Sequence, residues 1–207
     1  MKQRFMAGKG THMDFTTIKR NLERHGFVVS VCKDSAEAAG HMTRELDGET
    51  IGFGGSITTD SMGLYGELAK NNRVFWHWKN AEDKARFAEF TAYVTSANAV
   101  SETGELVNID GAGNRVASTL YGPGKVYFLI GKNKIRPDLP SAIDRARNVA
   151  SPLNAKRLNA ATPCVTDLRC HDCNSPGRIC GAMVIHMRPM KSAKKTEVVL
   201  IDENLGF

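Results

Sequence analysis

Apolar and polar positions follow two patterns along the chain, one typical of strands and one typical of helices, and segments of the two kinds alternate. Short runs rich in β-branched and aromatic residues predict strands, namely "FVVSVC", "TIGFG", "RVFWHW", "TAYVTS" and "GKVYFLIG". Apolar residues three or four positions apart predict helices in "DFTTIKRNLERHG", "NAEDKARFAEF" and "LPSAIDRARNVA". The capping-box spacing of "DSAE" predicts another helix over residues 34–46, and one more follows "GGS" as far as residue 68. Strands that alternate with helices favour an α/β fold with a mostly parallel sheet covered on both faces.

The two ends of the chain depart from this alternation. Near the C-terminus, "AMVIHMRP" and "TEVVLIDENLGF" predict an antiparallel pair, which together with a cysteine-rich segment would form a small C-terminal appendage. Residues 1–13 carry basic side chains without the apolar stretch of a secretory signal. We therefore expect one domain over residues 14–207, preceded by a disordered or tag-like tail.

Composition and charge narrow the class of protein. The chain has 207 residues, of which 42% are hydrophobic and 24% charged, values typical of one folded domain. No apolar run approaches the length of a membrane span, and we expect a cytoplasmic location. The net charge is +6, but the positive residues are scattered and accompany no nucleic-acid-binding motif. We expect no nucleic-acid partner, while a homo-oligomer stays open.

The loop "GFGGSITTDSMG" is the first candidate for binding chemistry. Glycines allow backbone N–H groups to approach a ligand, and a following helix start favours an anion. The spacing matches neither the dinucleotide-binding nor the Walker A pattern, and a tight turn with a helix cap explains it equally well. A later loop, "GKNK", would bring positive charge to the same sheet edge. The candidate ligand-binding residues in these loops are Gly54, Gly55, Ser56, Thr58, Lys132 and Lys134.

The stretch "TSANAVSETGELVNIDGAGNR" is the second candidate. It follows a predicted strand, and ligands of parallel sheets bind beyond the carboxyl ends of the strands. Glu102 or Glu105 would serve as nucleophile or base, and Arg115 would pair with a carboxylate or phosphate. The alternative is a β-hairpin with its turn at "DGAG". Candidate ligand-binding residues here are Asn98, Glu105, Asp110, Asn114 and Arg115.

Four of the five cysteines cluster in "CVTDLRCHDCNSPGRIC". Cys164, Cys170, Cys173 and Cys180 follow the spacing C-x5-C-x2-C-x6-C, which approaches the zinc and iron–sulfur patterns without matching either. They are candidate ligands of zinc or of an iron–sulfur cluster. A redox dithiol at Cys170 and Cys173, or thiols without a ligand, are the alternatives.

Several segments together resemble the lactate-utilisation (LUD) domain family of the LutC/YkgG type. They are "IGFGGSITTDSMGLY", "TSANAVSETGELVNIDGAGNRVA", "YGPGKVYFLIGKNKIRPDLPSAIDRARNVASPLNAKRLN", "CHDCNSPGRIC" and "VVLIDENLGF". The resemblance implies a three-layer α/β fold like that of the NagB, ribose-phosphate isomerase and CoA-transferase group. It also implies a cytoplasmic component of L-lactate oxidation to pyruvate, with iron–sulfur proteins as partners.

The resemblance leaves three functions to compare. The favoured hypothesis is a lactate-utilisation component that binds a small anionic ligand at the strand-end loops. In the wider fold group, a Ser-Glu-Asn-Gly turn carries the nucleophilic glutamate of CoA-transferases. The similar "SETG" turn here has threonine in place of asparagine, and it suggests an acyl-, CoA- or phosphate-handling enzyme with Glu102 as nucleophile. The third hypothesis is a non-catalytic adaptor that binds metal through its cysteines.

Overall fold

The computed structural model describes residues 12–207, except for the side chains of residues 84 and 85. The predicted tail, residues 1–13, therefore lies almost entirely outside the described residues. The strands of the described range are β1 (Val28–Cys32), β2 (Thr50–Phe53), β3 (Arg73–Phe75), β4 (Ala92–Thr95), β5 (Ala99–Ser101), β6 (Leu106–Asp110), β7 (Lys125–Gly131), β8 (Ile135–Arg136), β9 (Ala182–His186) and β10 (Lys195–Ile201).

Helices connect most of these strands. They are α1 (Thr16–Arg24), α2 (Ser35–Glu45), α3 (Ile57–Ser61), α4 (Leu64–Leu68), α5 (Asn114–Leu120), α6 (Leu139–Arg145), α7 (Ser151–Arg157) and α8 (Cys164–Asp167), with a π-helical turn, Ala146–Ala150, between α6 and α7. The predicted cap of α2 is confirmed, since the Asp34 side chain accepts the Glu37 N–H at 2.8 Å. Within residues 12–207, no helix is both long and apolar enough to cross a lipid bilayer.

The main sheet has six strands in the order β1-β10-β7-β4-β2-β3, and every pairing is parallel. Its central strands are apolar on both sides. In β10, Val198 and Leu200 belong to one core cluster, while Val199 and Ile201 belong to the other. A strand buried on both faces requires this continuous apolar sequence. The α/β fold with a mostly parallel sheet is thus confirmed.

Each face of the main sheet is covered by a different layer. On one face, α2 contributes Met42 and α4 contributes Leu64 and Leu68 to the core, together with Leu46, which directly follows α2. The other face is covered by α1 together with a second sheet of four strands, in the order β8-β5-β6-β9. In the second sheet, β5 pairs antiparallel with β6 and parallel with β8, and β6 pairs antiparallel with β9. Helix α6 packs behind this second sheet.

The predicted antiparallel pair at the C-terminus is wrong. Strand β9 pairs with β6 in the second sheet, whereas β10 enters the main sheet between β1 and β7. The two strands are neighbours in sequence but belong to different layers, so they form no separate appendage. An alternating pattern shows that a segment is a strand, but strand pairing depends on contacts distant in sequence.

Smaller differences arise where local hydrogen bonds interrupt a predicted element. The strand predicted for "RVFWHW" ends at Phe75, because Trp76 begins a turn in which its carbonyl accepts the Lys79 N–H at 2.8 Å. The helix predicted next is a 3₁₀ helix, Ala81–Glu89. The helix predicted to run as far as residue 68 divides at Gly63, whose φ of 63° is left-handed.

Candidate functional site

The loops after β2, β4, β7 and β10 meet at the carboxyl edge of the main sheet, where they surround a cavity of about 240 Å³. We call it the cationic cavity, because among the described residues three lining side chains, Arg115, Lys134 and Arg157, are cationic and a single one, Asp110, is acidic. The predicted residues that line it are Gly55, Ser56, Thr58, Asn98, Asp110, Asn114, Arg115 and Lys134. The expectation that loops distant in sequence converge on this edge is confirmed for these residues.

Lys134 lies at the base of the cationic cavity, and 3% of its surface is exposed. Its ammonium nitrogen contacts three acceptors, the Thr58 Oγ1 at 2.8 Å, the Ser96 Oγ at 2.9 Å and the Ala97 carbonyl at 3.1 Å. Both hydroxyls donate their own proton elsewhere, to the carbonyls of Leu205 and Leu129. Their lone pairs therefore face Lys134, and three acceptors match the three N–H groups of a charged lysine.

The surroundings of Lys134 are nevertheless unfavourable for a positive charge. Burial lowers the pKa of Lys134 well below its ordinary value, and repulsion from Arg145 and Arg115 lowers it further. Within residues 12–207, no carboxylate lies in hydrogen-bonding contact with its Nζ atom. The hydrogen bonds favour the charged form while the electrostatics oppose it, and an anion in the cavity would offset that opposition.

Arg115 forms the wall of the cationic cavity next to β6. Its guanidinium donates to the Ile109 carbonyl at 2.8 Å and to the Asn98 Oδ1 at 3.2 Å, and it also contacts the Asn108 side chain. Burial lowers the pKa of Arg115, and the carboxylate of Asp110 partly opposes that shift. These hydrogen bonds hold the guanidinium in a fixed orientation at the cavity.

Asp110 is 8% exposed, and its two carboxylate oxygens have different surroundings. The Oδ1 atom accepts the N–H groups of Ala112 and Gly113, at 3.1 and 3.0 Å, and so shapes the turn before α5. The Oδ2 atom is buried and has no hydrogen-bond partner within the described chain; the Arg115 Nε atom is 3.7 Å away. A buried acceptor without a hydrogen bond is costly, and the positive charge of Arg115 offsets part of that cost.

The glycines of the "GFGGS" loop permit close packing below and beside the cavity. A Cβ atom on Gly54 would lie 2.5 Å from the Thr95 Oγ1 and 2.8 Å from the Tyr93 hydroxyl, beneath Arg115. A Cβ atom on Gly55 would lie 2.9 Å from the Trp78 indole nitrogen. Gly54 therefore supports the site from below, while Gly55 lines the cavity itself.

Several lining residues are absent from the sequence-based predictions. Trp78 and Arg157 form the outer wall, with the guanidinium 4.7 Å from the centre of the indole ring. Asn154, Ile179 and Phe207 also line the cavity. Arg157 belongs to α7 and shows no motif that could have assigned it to a strand-edge site. Arg157 lines the cavity because α7 packs beside it, and the local sequence does not show where α7 packs.

Glu102, Glu105 and Lys132 do not line the cationic cavity. Glu102 and Glu105 lie in the turn between β5 and β6, where the Asn21 side chain donates to the Glu102 carbonyl at 2.6 Å. The hairpin turn is therefore at "SETG", and "DGAG" leads into α5 instead. Lys132 faces the other way and pairs with Asp202 at 2.9 Å. Glu102, the candidate nucleophile, is therefore not among the residues that line the cavity with Gly55 and Arg115.

The four clustered cysteines line a separate small cavity of about 30 Å³. All four are free thiols, and within residues 12–207 no group of three or more His, Cys, Asp or Glu side chains is arranged to hold a metal ion. Ligation of zinc or of an iron–sulfur cluster by Cys164, Cys170, Cys173 and Cys180 stays a prediction. Hydrogen bonds from Ser175 lower the pKa of Cys173, whereas burial raises that of Cys180.

A third cavity, of about 380 Å³, adjoins the cationic cavity. We call it the aromatic cavity, because Phe53, Phe75, Phe87, Phe90 and Tyr93 line it. His77 and Asn114 line both cavities and mark the boundary between them.

These features define an α/β protein with a cationic cavity at the carboxyl edge of a parallel sheet. The family model for the LUD domain matches residues 16–201, and the chain therefore belongs to the LUD domain family, which is associated with lactate utilisation. Its fold is similar to the crystal structure of a DUF162 family protein from Deinococcus radiodurans, with a TM-score of 0.54 over 90% of this chain and 95% of that one. The two chains are 12% identical, so this likeness shows the fold alone. No protein of curated function matches the chain.

Proposed function

We propose that this protein is a component of a lactate-utilisation system and that its cationic cavity binds a small anionic ligand. Family membership supports the first part. The observation that carries the second is Lys134, a buried lysine whose three N–H groups are satisfied by uncharged acceptors and whose charge has no carboxylate beside it among the described residues. A bound anion would supply the missing negative charge.

The composition of the cavity wall agrees with an anion that also carries a hydroxyl group. Arg115, Lys134 and Arg157 provide an excess of positive charge over Asp110. Asn114 and Asn154 also line the cavity, and their side-chain amides would form hydrogen bonds with the ligand hydroxyl. A 2-hydroxy acid such as lactate combines both groups at a size suited to a cavity of about 240 Å³.

Binding of L-lactate by the purified protein, measured by titration calorimetry, tests this proposal. We expect Lys134→Met to weaken binding about tenfold or more, because it removes a charge a few ångströms from the anion in a poorly solvated site. Arg157→Gln should also weaken binding, and this exposed side chain can change without disturbing the core. Lys132→Met removes the same charge two residues away, outside the cavity, and is the matched control.

The control variant should bind within about twofold of the wild type. Equal affinity in all four proteins would contradict a role for the cationic cavity, and so would an absence of binding by the wild type to both L-lactate and inorganic phosphate. Thermal unfolding of each variant shows whether a loss of binding reflects a loss of structure.

The cellular role needs a separate test. Deletion of the gene should abolish growth on L-lactate as carbon source while leaving growth on glucose intact. The wild-type gene should restore growth, and the Lys134→Met gene should not. Normal growth of the deletion strain on lactate, without a second gene of the family, would refute the cellular part of the proposal.

A further inference from the structure

Three of the rings that line the aromatic cavity are nearly parallel to one another. The rings of Phe75 and Phe90 are 6.1 Å apart with an angle of 25° between their planes, and those of Phe90 and Tyr93 are 6.1 Å apart at 18°. Phe90 lies directly on the backbone of Gly52, where a Cβ atom would come within 2.2 Å of the ring. The three rings thus line a cavity of about 380 Å³, and the guanidinium groups of Arg73 and Arg86 lie over the Phe75 ring, 5.4 and 5.2 Å from its centre.

An exposed aromatic side chain stands at the mouth of this cavity. Phe87 is 61% exposed although it lines the cavity together with the buried Phe53. A large aromatic side chain that is exposed to solvent beside an open apolar cavity is more typical of a ligand-binding site than of a hydrophobic core. A planar ligand between Phe87 and the inner rings would cover this surface.

The aromatic cavity also contains a hydrogen-bond acceptor. Asp83 is 8% exposed and lines the cavity. Its Oδ2 atom accepts the Trp76 N–H at 2.7 Å, which fixes the carboxylate, and Oδ1 is its second acceptor. An amino group on the edge of a planar ring would donate to this oxygen.

We propose that the aromatic cavity binds the base of an adenine nucleotide, while the phosphate of the same nucleotide occupies the cationic cavity. The two cavities share His77 and Asn114 in their lining, and the proposed ligand extends past these two side chains from one cavity into the other. The adenine ring stacks on the aromatic walls, and its exocyclic amino group donates to Asp83. This inference rests on the proposed function in one respect, namely that the cationic cavity binds anions.

Titration calorimetry with matched ligands separates the two contributions. AMP carries both base and phosphate, ribose 5-phosphate lacks the base, and UMP carries a base without an exocyclic amino group. We expect AMP to bind about tenfold more tightly than ribose 5-phosphate, because stacking of one base is worth that much. UMP should bind more weakly than AMP.

Two variants test whether the preference for AMP depends on side chains of the aromatic cavity. Phe87→Ala should reduce the preference for AMP over ribose 5-phosphate to about threefold or less, with binding of ribose 5-phosphate unchanged. Asp83→Asn keeps an acceptor for the Trp76 N–H but can present a donor to the base, so it should abolish the preference for AMP over UMP. Tyr121→Ala removes an aromatic side chain that is 81% exposed and lines neither cavity, and should change nothing.

The outcomes distinguish this inference from the proposed function. If ribose 5-phosphate and AMP bind equally well, the aromatic cavity holds no base and the inference is overturned, while anion binding stands. If AMP binds more tightly but Phe87→Ala and Tyr121→Ala behave alike, the base binds elsewhere and the inference is equally overturned. If neither ligand nor inorganic phosphate binds, both proposals fail.

Discussion

At the scale of single residues, Lys134 shows how burial and hydrogen bonding can oppose each other at one atom. Three acceptors surround its Nζ atom, yet burial and the neighbouring Arg145 and Arg115 lower its pKa. A group held in this way destabilises the free protein at neutral pH and becomes favourable when a counter-charge arrives.

This opposition predicts a pH dependence of stability. The lysine pKa is about 10.4 in the unfolded chain and lower in the folded one, so between these values the unfolded state binds the extra proton. The contribution of Lys134 to the free energy of unfolding therefore rises with pH across that window. In Lys134→Met the contribution is absent, and the stability of the wild type should increase relative to the variant as the pH rises.

Urea denaturation of both proteins at several pH values measures this difference, and subtracting one from the other removes the titration of all other groups. A difference that stays constant from about pH 7 to about pH 10 would contradict a lowered pKa for Lys134 in the folded state.

At the scale of elements, two glycines of this fold differ in whether the surrounding atoms leave room for a side chain. In β2, Gly52 provides room for the Phe90 ring, and an added Cβ atom would overlap it at 2.2 Å. In α4, Gly66 faces open space, with no atom of the described residues within 4 Å of an added Cβ. The first glycine is required by packing, while the second costs helix propensity.

The two glycines form a matched pair of substitutions. Gly52→Ala should lower the free energy of unfolding by about 1–3 kcal/mol, because the Phe90 ring must move from its place on β2. Gly66→Ala should leave stability unchanged or raise it by up to about 1 kcal/mol. Urea denaturation of both variants measures the difference, and equal effects would show that the Phe90 ring does not pack on Gly52 as described.

At the scale of the whole molecule, the last strand of the described chain, β10, pairs with the first, β1. It lies between β1 and β7, and it carries a buried acid, Glu197, with none of its surface exposed. Glu197 accepts the Ser30 hydroxyl of β1 at 2.7 Å, contacts His41 of α2 at 2.6 Å and pairs with Lys195 at 2.7 Å. This network links the last strand, β10, to β1 and to α2, the helix that follows β1.

Removal of this charge should destabilise the molecule. Burial alone would raise the pKa of Glu197, but hydrogen bonds from Lys195, Ser30 and His41 outweigh it and lower the pKa. The stabilisation is therefore present above about pH 4.3, the unfolded value, and is lost as the pH falls through the lowered folded value. At pH 7 we expect Glu197→Gln to cost about 2–4 kcal/mol.

Denaturation curves at neutral and acidic pH check this expectation, since the difference between wild type and variant should shrink in acid. Glu67→Gln, which removes one partner of an exposed pair with Lys70, is the control and should cost less than about 1 kcal/mol. A comparable loss in the two variants would show that the Glu197 network contributes no more than a surface ion pair.

Much of the main sheet and its edge could be predicted from local sequence. Strand runs such as "GKVYFLIG" and the cap at Asp34 correspond to elements of the structure. Because parallel strands end at a common edge, the loops carrying Ser56, Asn98 and Lys134 could be expected to meet there. These features depend on residues close together in the chain, which is why periodicity and capping reveal them.

Other features were decided by tertiary packing alone. The pairing of β10 with β1 and β7 joins residues far apart in sequence, and no local pattern distinguishes it from a terminal hairpin. The same packing keeps Glu102 out of the cavity lining and brings Arg157 into its wall, and it leaves Lys134 without a carboxylate in contact among the described residues. The sequence by itself determined which segments become strands, helices and polar loops, because those depend on near neighbours. Only the tertiary structure decided which loops share a cavity and which charges are buried, because those depend on contacts between distant parts of the chain.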